Sequence, residues 1–148
     1  MKIIVDASIV FSGILNSNGK IGDLLINSDD FFSFIAPDFL RTEIYNHHKK
    51  LMDISNMTLG QILESEYQIC KSITFISEEQ IEEKNWLFAD ELARDIDIKD
   101  IIYLAYANQF KCNLWTGYKK LINGLIKKNY HRAFTTNDLF LIKNNKLY

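Results

Sequence analysis

Lys2-Ile3-Ile4-Val5-Asp6 sets the pattern of the chain: three β-branched residues in a row, ended by an acid. A short run of this kind reads as a buried strand, and the acid then stands at its carboxyl end. Helical spacing follows in Ile9, Val10 and Ile14, and again in Ile21, Leu24 and Leu25. Phe32-Ser33-Phe34-Ile35-Ala36 reads as a second strand closed by Pro37, and Phe39, Leu40, Ile44, His47 and Leu51 form one helical stripe behind it. Thr58-Leu59-Gly60-Gln61 and Ser77-Glu78-Glu79-Gln80 both have the form of a capping box, each predicting a helix. Between them, Ser72–Ile76 reads as a third strand. Asp97 is placed as the N-cap of a helix carrying Ile98, Ile101, Ile102, Ala105 and Tyr106. Cys112–Thr116 and Arg132–Thr136 read as strands four and five, with Leu121, Leu125 and Ile126 lining the helix between them. Strands alternating with helices predict an α/β fold with a parallel sheet covered on both faces. Ligands in such sheets bind beyond the carboxyl ends of the strands, near the switch in strand order.

The 148 residues fit one domain over 1–148, and 47% hydrophobic content with one Pro and six Gly excludes a disordered or collagenous chain. No apolar run approaches the roughly 18 residues that span a bilayer, and Lys2 and Asp6 interrupt any signal-peptide core. Cys70 and Cys112 suit buried thiols in a reducing compartment, so the expected location is cytoplasmic with no membrane association. The net charge of −2 hides an asymmetry. Residues 64–100 hold eleven acids against four bases, whereas residues 111–148 hold eight bases against Asp138 alone. A basic segment beside an acidic one suits a polyanion led past a metal-binding cluster, and equally two solvated faces of opposite sign.

Four acids carry the chemistry. Asp6 ends strand one, Glu43 lies in the helix after strand two, and Asp97 and Asp100 stand three apart at a helix start. Carboxylates brought to about 5 Å repel by roughly 3 kcal/mol per pair at an effective dielectric near 20. Such a cluster is protonated, dispersed or neutralised by a cation. An all-oxygen donor set suits Mg²⁺ or Mn²⁺. Each acid taken alone also reads as a helix cap or a solvated side chain.

Val5-Asp6-Ala7-Ser8, Pro37–Ile44, Asp97–Ala107 and Leu114-Trp115-Thr116-Gly117 together resemble the PIN-domain nucleases, in order along nearly the whole chain. The resemblance implies a three-layer α/β/α sandwich around a five-stranded, mainly parallel sheet. It implies cleavage of RNA phosphodiesters with Mg²⁺ or Mn²⁺, catalytic roles for Asp6, Glu43, Asp97 and Asp100, and metal ligation by Asp6, Glu43 and Asp100. RNA is then the substrate, with an antitoxin protein and a second copy of the chain as candidate partners. The chain departs from the family at one position. Where the family often has Thr-x-Asp after strand four, Thr116-Gly117-Tyr118 puts a phenol, a poor Mg²⁺ ligand at neutral pH. That departure sets a weakened nuclease against an inactive module that binds RNA or protein. Thr136-Asn137-Asp138 repeats the pattern after strand five, where it reads chiefly as a helix cap.

Ser8 is expected to contact a metal-bound water or phosphate, or else to cap the first helix; Thr116 to bond a site carboxylate, or else to pack at the strand end. Lys119, Lys120, Lys127 and Lys128 are the candidates for holding RNA phosphates, against a simple solvated helix face. His47, His48 and His131 are too few for a Zn²⁺ site. Trp86 and Trp115 read as core or interface residues before base-stacking ones. A phosphoacceptor receiver domain fits poorly, because it needs paired acids after strand one and an Asp ending strand three, where Ile76-Ser77 stand.

Overall fold

In a computed structural model, the β-branched run becomes the central strand of a five-stranded sheet. The structure describes residues 1–145, so the last three residues of the expected domain, and with them Lys146 of the basic segment, lie outside it. The strands are β1 (Lys2–Val5), β2 (Ser33–Pro37), β3 (Ile73–Ile76), β4 (Asn113–Trp115) and β5 (Ala133–Phe134). Their order is β3-β2-β1-β4-β5, and every neighbouring pair is parallel, not merely most of them. Between them run α1 (Ala7–Leu15), α2 (Lys20–Asn27), α3 (Phe39–Asn46), α4 (His48–Ser55), α5 (Leu59–Cys70), α6 (Glu83–Ala93), α7 (Ile101–Gln109) and α8 (Lys119–Lys127), and α9 (Thr136–Asn145) follows β5.

Strand alternation divides the core into two layers. Ile3 and Val5 point to one face with Phe34, Ala36 and Trp115, under residues of α1, α2 and α5. Ile4 points to the other with Ile35 and Leu114, under α6, α7 and α8. All three apolar side chains of β1 are fully buried, as a strand covered on both faces requires. Helix α7 is buried over five successive residues, Tyr103 to Ala107, and packs on β1, β2 and β4. A polar tie fixes α6 beside it: the Asn85 amide donates to Gln109 Oε1, and Asn108 donates to Asn85 Oδ1 at 2.7 Å.

Three local expectations are corrected. The stripe from Phe39 to Leu51 is two helices, broken at His47, whose ring Nδ1 lies 2.6 Å from the Glu43 carbonyl and whose amide donates to that carbonyl and to Ile44 O. Ser77 caps only a 3-10 turn, Glu78–Gln80, because Ile81 is drawn into the core in an extended conformation before α6 begins. Ile126 is 47% exposed rather than lining α8 with Leu121 and Leu125. The capping box at Thr58 and Gln61 is present in both its hydrogen bonds, and Asp97 caps a turn, Ile98–Asp100, that leads into α7.

Candidate active site

The strand order reverses between β1 and β4, and Asp6 stands at the carboxyl end of β1, beside that switch. Asp6 follows β1 directly and caps α1. Its Oδ1 accepts from the Ser8 hydroxyl at 2.6 Å and from the Ile9 amide at 3.1 Å. The opposite oxygen, Oδ2, is buried without a hydrogen-bond partner among the described residues. Capping therefore occupies one oxygen of this residue and leaves the other unengaged among the described residues.

Asp100 closes the turn before α7, is 3% exposed, and likewise leaves Oδ2 buried and unpartnered. Burial pushes its pKa up to about 7, with Asp6 and then Asp97 adding to the rise and Lys99 opposing it. Burial also raises the pKa of Asp6, offset in part by the Ser8 and Thr116 hydroxyls and the Ile9 and Ser8 amides. Two carboxylates thus stand at the positive ends of two helices, each deprived of solvent, and the charge of Asp6 is felt at Asp100.

Glu43, on α3, lines the same cavity as Asp100 but is partly solvated, its Oε2 lying 3.9 Å from His47 Nδ1. Tyr103 senses Asp6, Asp100 and Glu43 together: burial chiefly, then those three charges, raise its pKa. Asp97 spends Oδ1 on the Lys99 amide. Among the described residues no three His, Cys, Asp or Glu side chains stand close enough to hold a metal ion together. Asp6 and Asp100 are the buried acids, the charge of the first raising the pKa of the second, whereas Glu43 and Asp97 are half-buried.

The remaining expected residues divide. Ser8 donates to Asp6 and accepts from the Gly117 amide at 3.1 Å, so its hydroxyl ties the loop after β4 to the acid. Thr116 is buried near Asp6 and accepts from the Tyr118 amide at 3.1 Å. Tyr118 is 50% exposed and lines the cavity. Burial, then the charges of Asp6, Asp100 and Asp97, raise its phenol pKa. Lys119, Lys120 and Lys127 are exposed on α8. Lys128, by contrast, is engaged with Asp95 and with the Leu92 carbonyl. Asp138 and Thr135 exchange hydrogen bonds as a helix cap of α9.

Sequence reasoning alone misses Lys50, Lys99 and Phe11, which line the cavity; Trp86, read chiefly as a core or interface residue, lines it too. The spacing of Glu43, His47 and Lys50 at i, i+4 and i+7 is the legible signal for Lys50, and Lys99 sits between the two helix-start acids.

The PIN-domain family model matches residues 4–137, an interval that contains every acid of this site. The chain belongs to the PIN-domain family. PIN domains are generally nucleases that use divalent metal ions. Among solved structures, PAE2754 from Pyrobaculum aerophilum superposes with a TM-score of 0.69 at 14% identity, covering 98% of this chain and 90% of that one. VapBC2 from Rickettsia felis, solved with a DNA fragment from its promoter, gives 0.66 at 13% identity, covering 91% of this chain and 98% of that one. Both likenesses support the PIN fold. No curated protein matches the chain. No helix among the described residues is long and apolar enough to cross a membrane.

Proposed function

We propose that this PIN domain is a metal-dependent endoribonuclease, the toxin of a toxin–antitoxin pair, acting in the cytoplasm. The observation that carries the reading is the pair Asp6 and Asp100, each with a buried, unpartnered Oδ2, the charge of the first felt at the second. Two such oxygens lack only a cation, and the all-oxygen donor set fits Mg²⁺ or Mn²⁺. Asp6 and Asp100 would hold the ion, with Glu43 recruited from the cavity wall and Asp97 adding negative potential. When bound, the ion supplies a water of lowered pKa and a counter-charge for the pentavalent phosphate.

The chain's own residues do the rest. Ser8 and the Ile9 amide fix one oxygen of Asp6, so the other is aimed before substrate arrives. Glu43, partly solvated beside His47, is the carboxylate of the cavity wall that stays open to bulk water. Lys50 and Lys99 in the cavity, and Lys119, Lys120 and Lys127 along α8, offer positive charge to an RNA backbone, while Lys128 is already committed to Asp95. Tyr118 puts a neutral phenol beside the acids and weakens their hold on a cation. The likeness to VapBC2 supports an antitoxin partner, and a second copy of the chain is the other partner proposed.

Tyr118 also favours a second reading, an inactive PIN module that binds RNA or a protein partner. Cleavage of single-stranded RNA in Mn²⁺, abolished by EDTA and by Asp6→Asn, establishes the nuclease. Binding without cleavage under the same conditions establishes the module instead.

A further inference from the structure

The cavity beside Asp100 is walled by more aromatic surface than a phosphate grip requires. It measures about 820 Å³ and draws on helices of both layers. The two tryptophans part company here: Trp115 is wholly buried against the sheet, whereas Trp86, on α6, is half-buried and lines the cavity. Phe39, in the first turn of α3, is 42% exposed and lines it too. Lys50 and Lys99, both exposed, bring positive charge to the same hollow. Aromatic walls flanked by cations are the elements of a single-stranded nucleic-acid site, where bases stack on rings and the backbone meets Lys or Arg.

We infer that this cavity holds an unstacked nucleobase of single-stranded RNA next to the phosphate to be cut. Trp86 and Phe39 are its stacking surfaces, and Lys50 and Lys99 meet the flanking phosphates. The inference rests on the ribonuclease reading and adds to it the residues that choose among substrates. The volume lies within the roughly 300–1,000 Å³ typical of ligand cavities. A duplex is excluded, since its bases are stacked and paired and none is free to enter. Stacking is tolerant of base identity, so the cavity demands an accessible base more than a particular one.

Trp86 and Trp115 are the only tryptophans, so intrinsic fluorescence reads the site directly, with buried Trp115 as background. A short single-stranded RNA titrated into the full chain in EDTA is expected to quench that fluorescence saturably. The same sequence as a duplex, or as an abasic strand, is expected not to. Trp86→Leu and Phe39→Ala should each weaken binding by roughly 5- to 150-fold, the loss of one base–aromatic stack. Trp86→Phe should restore affinity, and the exposed Phe39 leaves thermal unfolding unchanged when truncated, which separates stacking from folding. Binding with unaltered fluorescence, or wild-type affinity in both truncations, overturns the inference. Quenching by a basic amphipathic peptide but not by RNA overturns it too and assigns the cavity to a protein. Mn²⁺-dependent cleavage that is equally efficient on single-stranded, abasic and duplex RNA sinks this inference alone. Absence of cleavage sinks the ribonuclease reading beneath it.

Discussion

Asp100→Asn should make the metal-free protein more stable at neutral and alkaline pH. The wild-type carboxyl is 3% exposed and has a pKa raised from 3.8 to about 7, by burial first and by the charge of Asp6 second. A carboxyl whose folded pKa is raised stabilises the fold fully below its unfolded value, and that contribution is lost as pH rises through the folded one. About three units at 1.36 kcal/mol each make the full loss about 4 kcal/mol, with about 3 kcal/mol of it falling between about pH 4.5 and pH 8. An amide at this position carries no such dependence. It also gains no partner for the buried oxygen, a cost of roughly 1–3 kcal/mol that is the same at both pH values and so cancels from the comparison. The assay is urea unfolding of both proteins in EDTA at the two pH values. The stability difference between variant and wild type should move by about 3 kcal/mol in favour of Asn on going to the higher pH. Mn²⁺ added at pH 8 should then rescue the wild type more than the variant, because binding to the folded state alone stabilises it. A difference that stays constant with pH would refute the raised pKa of the buried Asp100 carboxyl, and with it the argument that this dehydrated acid is poised for a cation.

Tyr118→Asp should raise Mn²⁺ affinity and RNA cleavage while lowering metal-free stability, read by calorimetric titration beside a fluorescent RNA assay; no gain in either means that Tyr118 does not fill a vacated ligand position. Ser8→Ala removes the donor to Asp6 Oδ1 and the acceptor for the Gly117 amide. It should cost about 1–3 kcal/mol in urea unfolding and reduce cleavage more than RNA affinity. Replacing Lys50, Lys99, Lys119 and Lys120 should flatten the salt dependence of RNA binding by up to about 0.7 for each phosphate no longer neutralised. Lys128→Ala, which breaks an ion pair with Asp95, should leave that slope unchanged.

Much of the fold is legible in the sequence because its signals are local. Ile3-Ile4-Val5 declares a strand buried on both faces, and Thr58 with Gln61 declares a helix start, whatever the rest of the chain does. The misreadings come where tertiary burial overrides a local signal. Ser77 has the residues of a capping box, but sinking Ile81 into the core stops the helix after one turn. The stripe from Phe39 to Leu51 has helical period throughout, yet His47 turns its ring onto the Glu43 carbonyl and divides it.

The site is legible to the same degree and for the same reason. Asp6 and Asp100 declare themselves at element ends, where a parallel sheet gathers its chemistry. What sequence cannot show is how differently the acids are held: Asp6 and Asp100 lose their water, while Glu43 keeps part of its own. Burial of that kind is a property of packing by α1, α7 and the loop after β4, elements more than a hundred residues apart at their extremes. It is also the property that matters for the chemistry. A solvated acid cluster would disperse its charge into water, whereas two dehydrated, unpartnered oxygens keep the repulsion that only a proton or a cation relieves. On the proposed reading the phenol of Tyr118 would tune that pair: it adds no charge beside the carboxylates, so a weaker hold on a cation would come with a more stable metal-free fold.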